Sequence, residues 1–210
     1  MKHIILLGDS IFDNGRHVKG GPDVIQQLRA IVPQGWEATL LAVDGSVAAD
    51  VKRQLEKLPA SATHLVVSVG GNDGLASSGV LKQSCRDVAS AMSLMSDIRD
   101  EFRNSYNSML KSLVATGKPA AVCKVYEPNF QDRLIQRLTS TALTVFNDVI
   151  IREAFSQGLP LIDLRAVYAA PDAYANDIEP SIIGGARIAA AVFKLVQRHD
   201  SSLGQTCVYC

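Results

Sequence analysis

The sequence predicts an α/β domain in three layers, α/β/α, built on a parallel sheet, and three observations carry that expectation. Five short apolar runs recur along the chain: Ile4–Leu7, Ala38–Val43, His64–Val69, Ala121–Val125 and Leu161–Leu164. Several are β-branched, and most are bounded by Gly, Pro or Asp. The runs are near-continuously apolar, as strands are when helices cover both faces of a parallel sheet. Between them lie stretches with apolar residues at helical spacing, so strand and helix alternate along the chain.

The elements follow in order. After the second run, Val47, Val51, Leu55 and Leu58 fall on one face of a helix that Pro59 ends. Ile98, Phe102, Tyr106, Met109 and Leu113 form the stripe of a longer helix, stopped by Gly117 and Pro119. Residues 130–157 read as another helical region with a less regular face and a break near Thr139 and Ser140. From Tyr168 to Pro180 periodicity is lost, which predicts a loop. Ser181 caps the last helix, whose Ile188, Val192 and Val196 turn toward the sheet. Residues 1–199 are read as one domain and 200–210 as a flexible tail, since the 210 residues suffice for one sizeable core.

Composition removes several function classes. Lys plus Arg and Asp plus Glu number 21 each, so the formal net charge is zero and no bulk attraction for nucleic acid or anionic membrane follows. No apolar stretch of about 20 residues is present to span a bilayer. Ile4–Leu7 is too short for an export signal and meets Gly8-Asp9-Ser10 without a small-residue cleavage pattern, so the cytoplasm is the expected location. Cys85, Cys123, Cys207 and Cys210 give no disulfide framework; Cys85 and Cys123 are expected to be buried or half-buried thiols. The final Cys-Val-Tyr-Cys has redox-like spacing and loosely fits a C-terminal lipidation pattern, and a plain disordered end accounts for it more simply. The oligomeric state is not legible.

In a parallel α/β sheet, chemistry collects just beyond the carboxyl ends of the strands. Four segments meet there: Gly8-Asp9-Ser10, Asp44-Gly45-Ser46, Gly70-Gly71-Asn72-Asp73 and Asn176-Asp177-Ile178-Glu179-Pro180. Gly8 permits a tight turn, and Asp9 can hold the loop by accepting backbone hydrogen bonds. A serine presented there offers a hydroxyl nucleophile and a backbone N–H to a developing oxyanion, which are the needs of acyl transfer. Gly45 can lend a second N–H and Asn72 an amide N–H. Singly, Ser10 reads as a turn residue, Gly45 as a turn glycine and Asn72 as a loop amide; their combination after successive strands is what points to hydrolysis.

With these motifs the chain resembles the SGNH hydrolases, the GDSL-like esterase and lipase family, over nearly its whole length. The resemblance implies a flavodoxin-like sheet of five parallel strands, with Ser10 attacking an ester carbonyl and Ser10, Gly45 and Asn72 binding the oxyanion; Asp9 and Asp73 would support these loops. It implies a small-molecule ester or acylated substrate and no cofactor. Ile11 replaces the leucine that gives the family one of its names.

The fourth motif departs more seriously. The family carries an aspartate three residues before a histidine, with proline directly after; here Asn176 and Glu179 occupy those positions ahead of Pro180. Three readings stay open: a natural variant with Glu179 as base, a relative that binds an acyl or carbohydrate ligand with little turnover, and engineered inactivation. Under the first, Asn176 would orient Glu179 by donating its amide N–H; a plainer role for Glu179 is to cap the last helix. His3, His64 and His199 lie away from the active rim, and His17 is either an exposed loop residue or a substitute base. No metal is expected, because Asp9, Asp13, Asp73 and Asp177 have no His or Cys pair at ligand spacing. Gly8–Gly15 supplies neither a phosphate-loop lysine nor the dinucleotide glycine spacing. Tyr168 and Tyr174 either stack on substrate or anchor their own loop, and small residues at 76–78 suggest an open mouth suited to short acyl groups.

Overall fold

The computed structural model describes residues 1–168, 170–200 and 205–210. The chain runs β1 (His3–Gly8), α1 (Val24–Ile31), β2 (Glu37–Leu40), α2 (Val51–Leu55), β3 (His64–Ser68), α3 (Gly71–Ser77), α4 (Val88–Val114), β4 (Ala120–Lys124), α5 (Arg133–Ser156), β5 (Leu161–Asp163), α6 (Leu164–Val167), α7 (Ile182–Arg198) and β6 (Val208–Tyr209). Among the described residues the named strands pair in parallel, in the order β2-β1-β3-β4-β5-β6. This is the expected three-layer α/β/α architecture. No described helix is long and apolar enough to cross a membrane.

The period of two in a strand explains the two cores. Ile4 and Leu6 of β1 point into one cluster with Val24 and Leu28 of α1 and Ile188 and Val192 of α7. Ile5 and Leu7 point into the other, with Phe102, Met109 and Leu113 of α4 and Phe146 and Ile150 of α5. The chain leaves β1 for β2 on one side and later crosses to β3 on the other, so the ends of β1 and β3 form a switch point where an open α/β sheet leaves a crevice.

The sheet has six strands, one more than expected. Leu161 N–H donates to Cys207 O at 2.8 Å, and Val208 and Tyr209 pair with Leu161 and Ile162, covering what would be an open β5 edge. Two β-forming residues make too short a run to stand out in a sequence. Of the tail, residues 201–204 lie outside the described residues, as does Ala169 in the loop before α7.

Helix α1 was not expected, although Asp23 and Gln26 form a capping box around it and Val24, Ile25 and Leu28 are buried. Helix α5 is continuous through Thr139 and Ser140, where a break was expected. Around that point side chains bond within the helix: Gln136 Nε2 donates to Ser140 Oγ at 3.2 Å, and Thr141 Oγ1 to Arg137 O at 2.9 Å. Cys123 is buried as expected, whereas Cys85 is exposed, in the segment between α3 and α4 that the sequence left unassigned.

Gly8 fixes the end of β1. Its φ is +120°, and an added Cβ would lie 1.8 Å from the backbone oxygen of Ser68 on β3. Gly8→Ala is therefore expected to lower unfolding free energy by at least about 3 kcal/mol, from overpacking plus left-handed strain. Urea denaturation measures this; a loss under about 1 kcal/mol would show that β1 and β3 part without cost.

Candidate active site

The four segments converge as the sheet topology requires. Ser10, only 7% exposed, follows the Gly8 turn, and its Oγ donates to Glu179 Oε1 at 3.0 Å across 169 positions of sequence. Glu179 is 6% exposed and its Oε2 has no hydrogen-bond partner among the described residues. Burial raises the Glu179 carboxyl above its ordinary value, while the His17 charge and the Ser10 hydrogen bond oppose that rise.

The Glu179 loop is held from several sides. Asn176 Oδ1 accepts from the backbone N–H groups of Ile178 and Glu179, both at 2.9 Å. Asn176 thus shapes the Glu179 backbone through its oxygen; the expected amide bond to the Glu179 carboxylate is not made. Ala175 N–H donates to Glu179 O at 2.8 Å, and Tyr126 OH donates to Ile178 O. The cap of α7 is Ser181, which accepts from Gly184 N–H at 3.1 Å, so the Glu179 side chain is free of that task.

Tyr168 and Tyr174 anchor their own loop. Tyr168 stacks on Tyr126 at 3.9 Å between ring centroids, and Tyr174 meets both rings edge-on. Tyr174 OH donates to Glu127 O at 2.6 Å. Of the three, only Tyr126 lines the cavity at Ser10.

Asn72 and Asp73 open α3 and grip the loop that follows Gly45. Asn72 Nδ2 donates to Ser46 O at 3.0 Å, and Asp73 accepts from Ala48 N–H at 3.0 Å. Asn72 keeps a second amide N–H, and the backbone N–H groups of Ser10 and Gly45 have no partner among the described residues. Gly45 has φ +84°, a conformation that suits glycine.

Asp9 is fully buried and accepts from Ile11 N–H at 3.1 Å. Desolvation pushes its carboxyl up to about 8, so at neutral pH it carries a proton and sets no negative charge beside Ser10. Burial also raises the Asp73 carboxyl.

Sequence reasoning missed three long-range ties. Buried Gln54 accepts from Gly8 N–H at 2.7 Å and donates to Gly8 O at 2.8 Å and to Ser46 Oγ at 3.3 Å, joining the end of β1 to the Gly45 loop. Its only signal was a glutamine three residues after Val51 on an apolar stripe. Asn14 is fully buried; its Nδ2 donates to Pro180 O at 3.3 Å and its Oδ1 accepts from Val24 N–H at 3.0 Å.

The third tie is His17, which is half-buried rather than an exposed loop residue. Its Nε2 lies 3.3 Å from Asp44 Oδ2 and 3.9 Å from Glu179 Oε1. His3, by contrast, is bound to Ser61 and Thr39, and His199 to Tyr209. His17, Asp44 and Glu179 each bring a ligand-type atom within 4.8 Å of the others, a set that could hold a cation. Such an ion would occupy the carboxylate to which Ser10 donates. Asp9, Asp13 and Asp73 are instead spent on backbone N–H groups, including Asp44 N–H on Asp13 Oδ2 at 2.9 Å.

Ser10, Asn72 and Glu179 share a cavity of about 390 Å³ with apolar side chains from α3, α4 and α5. The fold recurs in solved structures. An extracellular lipase from Streptomyces rimosus superposes with a TM-score of 0.67 at 15% identity, covering 92% of this chain and 99% of that one. A member of the lipolytic protein G-D-S-L family from Veillonella parvula gives 0.69 at 15% identity, over 95% and 100%. Phospholipase A1 from Streptomyces albidoflavus gives 0.65 at 15% identity, over 94% and 99%. At such identities these likenesses establish the fold. No curated protein sequence matches significantly. The model of the GDSL-like Lipase/Acylhydrolase family matches residues 6–182, from within β1 through the Glu179 loop to the start of α7. The chain belongs to that family of ester hydrolases.

Proposed function

We propose that the protein hydrolyses carboxylic esters through Ser10, with Glu179 as general base. The observation that carries this reading is the 3.0 Å hydrogen bond from Ser10 Oγ to Glu179 Oε1. Glu179 takes the Ser10 proton as Oγ attacks the ester carbonyl, and the N–H groups of Ser10 and Gly45 with the Asn72 amide receive the oxyanion. On collapse, the protonated Glu179 gives its proton to the departing alcohol, leaving an acyl ester on Ser10. Water, deprotonated by Glu179, then attacks that ester, and as the acid departs Glu179 returns the proton to Ser10 Oγ.

An ordinary glutamate binds a proton more weakly than histidine by about 3 kcal/mol. Burial recovers part of that difference by raising the Glu179 carboxyl. Asn176 is a positioning residue, holding the Glu179 backbone rather than its carboxylate.

Diethyl p-nitrophenyl phosphate tests the nucleophile. One equivalent of p-nitrophenolate should be released as activity is lost, with the diethylphosphoryl mass found on the Ser10 peptide. An unmodified Ser10 in protein that this reagent has inactivated would remove the assignment.

A further inference from the structure

Glu179 has a second set of neighbours besides Ser10. Its Oε1 lies 3.9 Å from His17 Nε2, and the same nitrogen lies 3.3 Å from Asp44 Oδ2. The three residues come from three loops, after β1, after β2 and before α7, and each backbone is tied in place. His17 N–H donates to Asn14 O at 2.9 Å, Asp44 N–H to Asp13 Oδ2 at 2.9 Å, and Glu179 N–H to Asn176 Oδ1 at 2.9 Å. An imidazole and two carboxylates therefore converge on a held frame, with one ligand-type atom from each within 4.8 Å of the others.

Charge and hydrogen bonding are incomplete at this point. Two carboxylates face one imidazole, and Glu179 Oε2, on a side chain only 8% exposed, accepts no hydrogen bond among the described residues. A buried carboxylate oxygen without a donor calls for a water or an ion. A dication balances the two carboxylates and leaves the imidazole neutral, with Nε2 as ligand and the ring proton on Nδ1.

The donor set selects among dications. Calcium takes about six to eight oxygens, and magnesium keeps an octahedral shell of oxygens and water. One imidazole with two carboxylates suits zinc and its neighbours. Tetrahedral ligands held about 2.1 Å from zinc stand roughly 3.4 Å apart; Nε2 lies 3.3 Å from Asp44 Oδ2 and 3.9 Å from Glu179 Oε1. The His17 and Asp44 side chains are 26% and 30% exposed, so an ion can arrive past them from solvent and keep water as its fourth ligand. Neither residue lines the cavity beside Ser10, so the ion reaches Glu179 without filling the space for the ester.

We propose that His17, Asp44 and Glu179 bind a zinc-type divalent cation and that this ion switches ester hydrolysis off. The bound ion occupies the Glu179 carboxylate, which then takes no proton from Ser10, while the ester still enters the cavity. The site itself stands on the geometry; the inhibition rests on the reading of Glu179 as general base.

Cys85, Cys207 and Cys210 are exposed and would take zinc themselves, so the test uses protein with these three changed to serine. Zinc chloride titrated by calorimetry should bind as one equivalent that magnesium or calcium chloride does not displace. His17→Gln, Asp44→Asn and Glu179→Gln should each weaken binding by at least about tenfold, a loss that even residues supporting a metal's ligands produce. Zinc should raise the melting temperature of the parent protein and not those of the variants. No binding, or binding that survives both His17→Gln and Asp44→Asn, overturns the site.

The same titration followed with p-nitrophenyl butyrate reads the inhibition. Saturating zinc should lower kcat by at least about tenfold, the least that loss of a general base costs, leave KM nearly unchanged, and be reversed by EDTA. His17→Gln and Asp44→Asn are each compared with and without zinc, so that any change in their own turnover cancels, and each should lose the inhibition. Zinc that binds through these residues and leaves kcat unchanged overturns the switch. If the protein hydrolyses no ester even without metal, the general-base reading fails, and loss of zinc binding in the three variants still supports the site.

Discussion

Changing Ser10 to alanine is expected to lower kcat/KM for p-nitrophenyl butyrate by at least about a thousandfold, the scale on which serine hydrolases lose activity with their nucleophile. Alanine removes Oγ and nothing else that the site needs. The Ser10 N–H, the Gly45 N–H and the Asn72 amide remain, so what survives measures oxyanion and ester binding without covalent catalysis. Stability should change by less than about 1 kcal/mol, because one hydrogen bond is lost while the backbone bonds around it, Asp9 N–H to Ser68 O and Phe12 N–H to Asp9 O, persist. Burst kinetics and urea denaturation on the same preparation check both statements. Turnover within tenfold of wild type would mean that Glu179 activates water directly on the ester, with Ser10 only a hydrogen-bond donor to it.

The part of the site that could be read from the sequence is the part written in local signals. Gly8-Asp9-Ser10 and Gly70-Gly71-Asn72-Asp73 each follow a β-branched run, and strand geometry alone brings them to one rim. Glu179 could be placed because Pro180 and Ser181 mark the start of α7. The ties that hold the rim together carried no such signal. Gln54 reaches Gly8 over 46 positions and Asn14 reaches Pro180 over 166, and a buried amide of this kind looks in sequence like any surface glutamine or asparagine. For the same reason His17 stood in the sequence only as one of two readings, an exposed loop residue or a substitute base. Its place between Asp44 and Glu179 depends on Asp13 accepting from Asp44 N–H, which draws the loop after β2 against the loop after β1. The apolar cleft was equally hidden, since its walls come from three helices and a loop, and the half-exposed Leu75, Leu81 and Leu138 look like ordinary surface leucines when read one at a time.

Changing Glu179 to glutamine is expected to lower kcat/KM by about a hundredfold, within the range for loss of a general base. The amide keeps the volume and can still accept the Ser10 hydroxyl, so folding should be unaffected. The pH profile carries the sharper statement. A base works when ionised, so wild-type kcat/KM should rise with pH through the Glu179 carboxyl, at a pH above the usual 4.5 because burial raises it. Glu179→Gln should erase that acid limb. On the alkaline side Asp9 loses its proton at about 8 and places a negative charge beside Ser10 and Glu179, against the charge that develops on the oxyanion. Activity should therefore fall above about pH 8, and Asp9→Asn, which keeps the acceptor for Ile11 N–H, should remove the fall while leaving the acid limb in place. An acid limb that survives Glu179→Gln would move the titrating base elsewhere, with His17 the next group to test because its Nε2 lies 3.9 Å from the same carboxylate. Restoring the family's own pair supplies the complementary gain. Asn176→Asp with Glu179→His keeps an oxygen for the Ile178 and residue-179 N–H groups and offers a second one to orient the imidazole, so turnover near pH 7 should exceed that of wild type. No gain would mean that the loop around Asn176 is shaped for a carboxylate and no longer accepts a ring.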